Sequence, residues 1–240
     1  MAACTTGQEA KDSAVQVKET LATYHSVDKL AAGGKAVLDK YGALIARYHG
    51  IVPASVAAVR IWVECRGNPK SYSSVHGEAG LLQLWPADLI AYGVTNWADP
   101  EQNLKAGFAK WARASNTLVS TLLKVTGIPV SVSDPSFWAL ANFNTAVGAG
   151  ATEALLKKFG SWNGIRAVAY SPTVDSQLRP MRGYFGHQAA SCIAHRIITA
   201  DRMYQAASQL GLGGGGILTL ALAAVGGYFL MQYLKSRGVF

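Results

Sequence analysis

The sequence predicts a mainly α-helical protein that carries a membrane-spanning helix near its C-terminus. Apolar residues recur at three- and four-residue spacing in several segments, which is typical of helices with one buried face. Alternation of apolar and polar residues, which would indicate strands, is not sustained over a useful length. An uncharged run over 217–234 follows four consecutive glycines. The length of 240 residues suits one globular domain with appendages.

The helices are placed by apolar spacing and by the glycines and prolines at their ends. The first is expected to run from Gly34 to about Gly50, and the second to start just after Pro53. The second helix carries Glu64 in its last turn, because the cluster Arg66-Gly67-Asn68-Pro69 does not continue a helix. Further helices are predicted over 104–119, 137–146, 151–159 and 189–210.

These elements divide the chain into five parts. Residues 1–33 form an N-terminal arm or a marginal helix, and residues 34–210 form the main helical domain. A glycine linker over 211–216 leads to the transmembrane helix of residues 217–234 and to a basic tail of residues 235–240. At about 1.5 Å per residue, the apolar run spans roughly 27 Å, close to the roughly 30 Å of a bilayer's hydrocarbon core. A buried core helix is the alternative, but this run has no polar face.

The composition indicates which classes of partner and cofactor are expected. Lys and Arg total 22 against 14 Asp and Glu, and the formal charge of +8 favours polyanionic partners. Nucleic acid is not expected among them, because no block of five basic residues and no nucleic-acid-binding signature occurs. Cys4, Cys65 and Cys192 are too few for a disulfide framework. No cofactor or metal is expected, because His187, Cys192 and His195 lack a standard zinc spacing.

Several motifs follow one another along the middle of the chain. The first joins Glu64 and Asn68-Pro69 to Ser74, Gly77 and the run Gly80-Leu81-Leu82-Gln83-Leu84-Trp85-Pro86. The others are Asp99-Pro100-Glu101-Gln102-Asn103-Leu104-Lys105-Ala106-Gly107, Ala139-Leu140-Ala141-Asn142-Phe143-Asn144 and the weaker Met181-Arg182-Gly183-Tyr184. In this order they resemble the soluble lytic transglycosylase family, relatives of goose-type lysozyme, over roughly residues 41–204.

The resemblance implies a lysozyme-like helical domain and assigns roles to individual residues. Glu64 matches the family's catalytic acid. The positions implied to bind substrate are Ser74, Gly77, Gly80, Gln83, Asn144 and Tyr184. The chain departs from the family pattern at Cys65 for Ser, Leu82 for Met, Phe143 for Tyr and Thr145-Ala146 for Ala-Gly. Phe143 lacks the hydroxyl of the family's tyrosine. Cys65 and His76 could form a thiol nucleophile and its base, but no third orienting residue is evident. The sequence therefore favours a buried packing role for Cys65.

The chemistry of glycoside cleavage supports the choice of Glu64. A carboxylic acid must be neutral to protonate the leaving oxygen, and apolar neighbours at the end of a buried helix favour the neutral form. The alternative is an exposed ion pair with Arg60 at i,i+4 spacing, which contributes little. A hydrolase would need a second carboxylate, for which the candidates are Glu78, Asp88 and Asp99; the family itself uses one.

The expected function is therefore cleavage of peptidoglycan glycan strands between N-acetylmuramic acid and N-acetylglucosamine, leaving 1,6-anhydro ends, by an enzyme anchored in a lipid membrane through residues 217–234. The alternatives are a goose-type muramidase and a non-catalytic, glycan-binding structural membrane or virion protein. Lys235 and Arg237 on the cytoplasmic side would place the domain outside, yet residues 1–24 lack the pattern of a secretory signal. Two settings reconcile these observations: the virion of a membrane-containing bacteriophage, in assembly with other virion or envelope proteins, and a secretion or conjugation apparatus.

Overall fold

A computed structural model describes residues 26–127, 132, 135–171, 173–178, 180 and 190–212. Tyr184, the predicted transmembrane helix at 217–234 and the basic tail at 235–240 lie outside the described residues, as do residues 1–25 of the predicted arm. Among the described residues, no helix combines the length and the apolar character needed to cross a bilayer.

The described part of the chain contains nine α-helices and two isolated β-bridges, and no strand occurs there. The prediction of a mainly α-helical protein is therefore confirmed. The helices are α1 Val27–Tyr48, α2 Ala54–Cys65, α3 Pro86–Ala91, α4 Pro100–Thr126, α5 Pro135–Val147, α6 Ala149–Phe159, α7 Trp162–Tyr170, α8 Val174–Leu178 and α9 Ala190–Ala207, and a π-helical turn Ser208–Leu212 follows α9.

Helix α1 begins seven residues earlier than predicted. The hydroxyl of Ser26 accepts a hydrogen bond from the backbone N–H of Lys29 and caps the helix. The prediction of a start at Gly34 is wrong, because the glycines mark a close crossing with α2 rather than a helix end. A Cβ atom on Gly33 would lie 2.2 Å from the Trp62 ring, and one on Gly34 would lie 2.7 Å from a Val59 methyl.

Helix α2 begins after Pro53 and ends at Cys65, as the sequence predicted. Its end is set by Arg66 and Gly67, which both adopt the left-handed conformation with φ of 54° and 71°. Most of α2 is buried, including Val59 and Ile61. The helix therefore presents Glu64 in its last turn, at the edge of the core.

The core forms around α9, which packs against α1, α2, α5, α7 and α8. Ile193, Ile197 and Ile198 on α9 are fully buried. Helix α4 extends beyond the predicted 104–119 at both ends. Its start is set by Asp99, which caps the first turn by accepting hydrogen bonds from the N–H groups of residues 101 and 102. The short helices α3, α7 and α8 were not predicted.

Candidate active site

A cleft of about 740 Å³ opens beside the end of α2. Its walls come from α2, from the loop between α2 and α3, and from α4, α5 and α9. Glu64 lies on the α2 wall and shares the cleft with residues that the chain supplies more than 70 positions later. The fold therefore assembles this cleft from segments that are distant in sequence.

Burial dominates the electrostatics of Glu64. Its side chain is only 15% exposed, and burial raises the pKa of its carboxyl above the ordinary value. The guanidinium of Arg60, 3.7 Å away, acts in the opposite direction, while the nearby carboxyl of Glu78 raises this pKa further. The environment of Glu64 thus favours the neutral form of its carboxyl.

The ion pair with Arg60 exists, but it is partly buried rather than exposed. Arg60 is 18% exposed and makes three further contacts inside the cleft. It donates hydrogen bonds to the Thr145 hydroxyl at 2.7 Å and to the Asn142 amide oxygen at 3.4 Å, and it stacks over the Trp111 ring at 4.7 Å. The i,i+4 spacing identified the pair from sequence, but it carried no sign of the partners that bury it.

The predicted substrate-binding residues divide into three groups. Gln83 and Asn144 line the cleft together with Glu64. Ser74 is exposed and is not among the lining residues, whereas its neighbours Ser73 and Val75 are. Gly77 and Gly80 also lie outside the lining, and Tyr184 lies outside the described residues. The binding roles of all six residues stay predictions.

Gln83 holds the loop beside the cleft in shape. Its backbone φ is +45°, and its amide nitrogen donates to the carbonyl oxygens of Gly80 at 2.7 Å and Ser71 at 3.3 Å. The side-chain nitrogen is therefore engaged within the loop. Any contact of Gln83 with a substrate falls to its amide oxygen.

Asn103 of α4 also holds this loop in place through hydrogen bonds. Its fully buried side chain accepts from the N–H of Leu82 at 2.9 Å and donates to the carbonyl oxygens of Ala79 at 3.1 Å and Trp97 at 3.3 Å. Gly80 passes so close that a Cβ atom there would lie 2.1 Å from the Asn103 amide nitrogen. The structure thus gives Gly80 a packing reason that sequence reasoning missed.

The cleft wall formed by α5 and α9 holds buried polar atoms that have no hydrogen-bond partner among the described residues. They include the amide nitrogen of Asn142, the amide oxygen of Asn144 and the hydroxyl of Thr199. All three residues line the cleft and are at most 9% exposed. Such atoms are costly unless something bonds to them, so this wall suits a polar ligand. Phe143 between the two asparagines is fully buried against Trp162 instead.

Of the three candidate second carboxylates, only Glu78 lies in the cleft. Asp88 is paired with Lys110 at 2.5 Å and accepts from the N–H of Trp85. Asp99 is occupied as the cap of α4. A two-carboxylate mechanism would therefore depend on Glu64 and Glu78.

Cys65 is a buried packing residue in the structure. Its thiol donates to the carbonyl oxygens of Ile61 and Leu81, and burial raises its pKa, which disfavours the nucleophilic thiolate. His76, the base that a thiol mechanism would use, is exposed and lies against the ring of Trp85. Among the described residues, no group of three or more His, Cys, Asp or Glu side chains is arranged to hold a metal ion.

A helical domain with one buried carboxylic acid, set in a polar cleft at a helix end, has the arrangement required for acid-catalysed cleavage of a glycosidic bond. This class of site agrees with the relatives of the chain.

A 68-residue stretch, 28% of the chain, is 46% identical to the transglycosylase of Enterobacteria phage PRD1 and covers 24% of that protein. A 114-residue stretch, 48% of the chain, is 30% identical to the membrane-bound lytic murein transglycosylase F of Histophilus somni strains 2336 and 129Pt, and covers 22% of it. The chain thus spans about a quarter of the length of the curated relatives it matches. No family model and no solved structure matches. Over the matched stretches, the chain is related to lytic transglycosylases, as its motifs predicted.

Proposed function

We propose that the protein is a peptidoglycan lytic transglycosylase with a lysozyme-like fold and with Glu64 as its catalytic acid and base. The observation that carries the proposal is the buried carboxyl of Glu64, held in a polar cleft at the end of α2. The proposal is supported by the relatives named transglycosylase and lytic murein transglycosylase. Ser74, Gly77, Gly80, Gln83, Asn144 and Tyr184 are its proposed substrate-binding residues.

The proposed reaction uses the two protonation states of Glu64 in turn. The neutral carboxyl gives its proton to the oxygen that links N-acetylmuramic acid to N-acetylglucosamine, and the bond from this oxygen to the muramoyl C1 breaks. The electron pair of that bond leaves with N-acetylglucosamine, which gains a hydroxyl. The muramoyl C6 hydroxyl then bonds to C1 and returns its proton to Glu64. The product is a 1,6-anhydro end, and no water is consumed.

Glu64→Gln tests the acid. The amide keeps the size of the side chain but supplies no acidic proton, so we expect release of muropeptides from purified sacculi to fall by at least about a thousandfold. The assay is chromatography of soluble products, with Glu153→Gln as a control that removes a carboxylate that does not line the cleft. Full activity in Glu64→Gln would disprove the assignment. Absent turnover in the wild type with retained glycan binding would instead favour the non-catalytic alternative.

A goose-type muramidase is the second candidate, because Glu78 shares the cleft with Glu64. A second carboxylate would activate water or act as a nucleophile, and the product would then end in a reducing sugar. Mass spectrometry separates the two, since an anhydro end is lighter than a reducing end by one water. Reducing ends whose formation requires Glu78 would establish the hydrolase.

We also propose that residues 217–234 anchor the enzyme in a membrane and that it opens the cell wall locally during phage entry or macromolecular transport. The apolar run and the adjacent Lys235 and Arg237 support the anchor. The names of the relatives support the setting, since one is a phage protein and the others are membrane-bound. Assembly with other virion or envelope proteins is part of this proposal.

A further inference from the structure

We propose that Arg60 acts together with Glu64: its guanidinium is a positioning group that fixes the Glu64 carboxyl and stabilises the carboxylate left after proton donation. This inference rests on the proposed function. It goes beyond it by making the buried pair, rather than the glutamate alone, the unit that performs acid catalysis.

The first argument is how firmly Arg60 is held. Its guanidinium reaches the Thr145 hydroxyl at 2.7 Å, the Asn142 amide oxygen at 3.4 Å and the face of Trp111 at 4.7 Å. These partners come from α4 and α5, whereas Arg60 and Glu64 share α2. A side chain tied to three elements has little freedom, so the charge that faces Glu64 occupies one place.

The second argument is that the groups in direct contact with Arg60, other than Glu64, carry no charge, while the carboxylate of Glu78 acts on it without forming an ion pair within 4.0 Å. A buried guanidinium whose only support was the carboxylate would force Glu64 to stay ionised. The hydroxyl, the amide oxygen and the indole face of Trp111 supply support that does not depend on the state of Glu64. Glu64 can therefore be neutral before the reaction and ionised after proton transfer without leaving Arg60 unsatisfied.

The third argument concerns the departure at Thr145, where the related family has alanine. In the structure this hydroxyl helps to hold Arg60, because it accepts the shortest hydrogen bond that Arg60 makes. The amide of Asn142 is oriented by the same arginine, since a guanidinium only donates and must face the amide oxygen. The nitrogen of Asn142 has no hydrogen-bond partner in the described part of the chain and lies on the cleft wall.

Several charged groups besides Arg60 surround Glu64. Glu78 opposes ionisation of Glu64, while Arg196 of α9 favours it. Other titratable residues that line the cleft are His76 on the loop, Lys110 on α4 and His195 on α9. Arg60 lowers the pKa of Glu64 more strongly than Arg196 does, and its guanidinium lies 3.7 Å from that carboxyl. Its removal should consequently make Glu64 a weaker acid.

The test is the pH dependence of kcat/KM in Arg60→Gln. Activity needs protonated Glu64, so it is lost as the pH rises through the pKa of that group. Without the guanidinium this alkaline limb should move to higher pH by on the order of one unit, while kcat at the optimum falls on the order of tenfold to a hundredfold. A merely structural arginine would lower the amount of folded enzyme without moving the limb.

Two controls separate charge from packing. Arg60→Lys keeps the positive charge but cannot hold Thr145 and Asn142 together, so we expect a wild-type limb, a reduced kcat and an unchanged KM. Lys35→Gln removes the cation of an exposed i,i+4 pair with Asp39 and should change neither the limb nor kcat. Circular dichroism and thermal unfolding of each variant establish that it is folded.

The inference is overturned if Arg60→Gln is folded and its limb stays in place, or if Arg60→Lys moves the limb as far as Arg60→Gln does. If Arg60→Gln does not fold, Arg60→Lys decides alone, and a wild-type kcat in that variant overturns the positioning role. Failure of the proposed function looks different, because then the wild-type protein yields no anhydro ends at any pH.

Discussion

At the scale of single residues, the burial of Glu64 favours the proposed catalysis but lowers the stability of the folded protein. Burial raises the pKa of its carboxyl, so the ionised form is disfavoured in the folded chain relative to the unfolded one. The stabilising contribution of the protonated acid is fully present below the ordinary pKa of 4.5 and is lost as the pH rises through the higher folded-state value. An acid kept for catalysis therefore weakens the fold near neutral pH.

Replacement by glutamine should reverse this effect. Because the new amide would resemble the protonated acid at every pH, we expect Glu64→Gln to have a higher free energy of unfolding than the wild type at pH 7. The gain should shrink as the pH falls and vanish below the unfolded-state pKa. Urea unfolding at pH 7 and at pH 4 measures it. A variant that is less stable than the wild type at both values would contradict the assigned burial cost.

Cys65 offers a second residue-scale prediction. The buried thiol, with its raised pKa, should react with iodoacetamide far more slowly in the folded chain than in urea. The measurement uses a variant with Cys4→Ser and Cys192→Ser, so that Cys65 is the only thiol. Cys65→Ala should keep its muropeptide release within about twofold of wild type while losing roughly 1 kcal/mol of stability. Loss of activity in a folded Cys65→Ala variant would revive the thiol nucleophile.

At the scale of elements, the loop between α2 and α3 behaves as a rigid wall of the cleft. Asn103 ties it to α4 through two hydrogen bonds, to Leu82 and Ala79, and Gly80 allows the close approach. Gly80→Ala should destabilise the protein by about 2 to 4 kcal/mol, because it adds steric overlap to a φ of +79°. Gly93→Ala is the matched control, since Gly93 has a φ of +65° but open space around it, and about 1 kcal/mol is expected there.

Thermal unfolding of the two variants, with muropeptide release measured below both transitions, separates the two costs. Equal losses of stability would show that the packing of Gly80 against Asn103 contributes nothing. Reduced activity in Gly80→Ala at a temperature where it is folded would show that the shape of the loop also matters to the cleft.

The helices show which local signals were sufficient. Helix α2 was predicted correctly because its limits, Pro53 and the Arg66-Gly67 pair, are local backbone signals. The start of α1 was misplaced because Gly33 and Gly34 have the composition of a helix boundary but serve a tertiary contact with α2. Such contacts have no pattern within the helix that makes them. The five-residue helix α8 is too short to show the periodicity on which prediction depends.

The candidate active site shows the same difference between local sequence signals, which could be predicted, and tertiary contacts, which could not. Glu64, Gln83 and Asn144 were predicted from motifs, and the structure brings them to one cleft. The positions of Trp111 and Thr199 in the cleft could not be predicted. Both residues lie on long helices, and the apolar spacing of these helices indicates only which face is buried in the core. Arg60 was noticed through its spacing from Glu64, but its burial depends on residues more than fifty positions away.

At the scale of the whole molecule, the proposed anchor makes the remaining prediction. A lysine in the apolar interior of a membrane helix costs up to about 2.5 to 3.5 kcal/mol, enough to prevent insertion of a run as moderately apolar as residues 217–234. Leu222→Lys should therefore move the full-length protein from the membrane to the soluble fraction, whereas Leu222→Ala should leave it in the membrane. The measurement is flotation of cell membranes on a density gradient, after a carbonate wash that removes peripheral proteins.

Activity on purified sacculi separates anchoring from catalysis in the same variants. The wall polymer is added directly in this assay, so Leu222→Lys should release muropeptides at about the wild-type rate although it no longer floats. If Leu222→Lys still floats, residues 217–234 are not the anchor, and the positive charge of the chain acting on anionic lipid becomes the better explanation. That explanation predicts release by high salt, which a transmembrane helix resists.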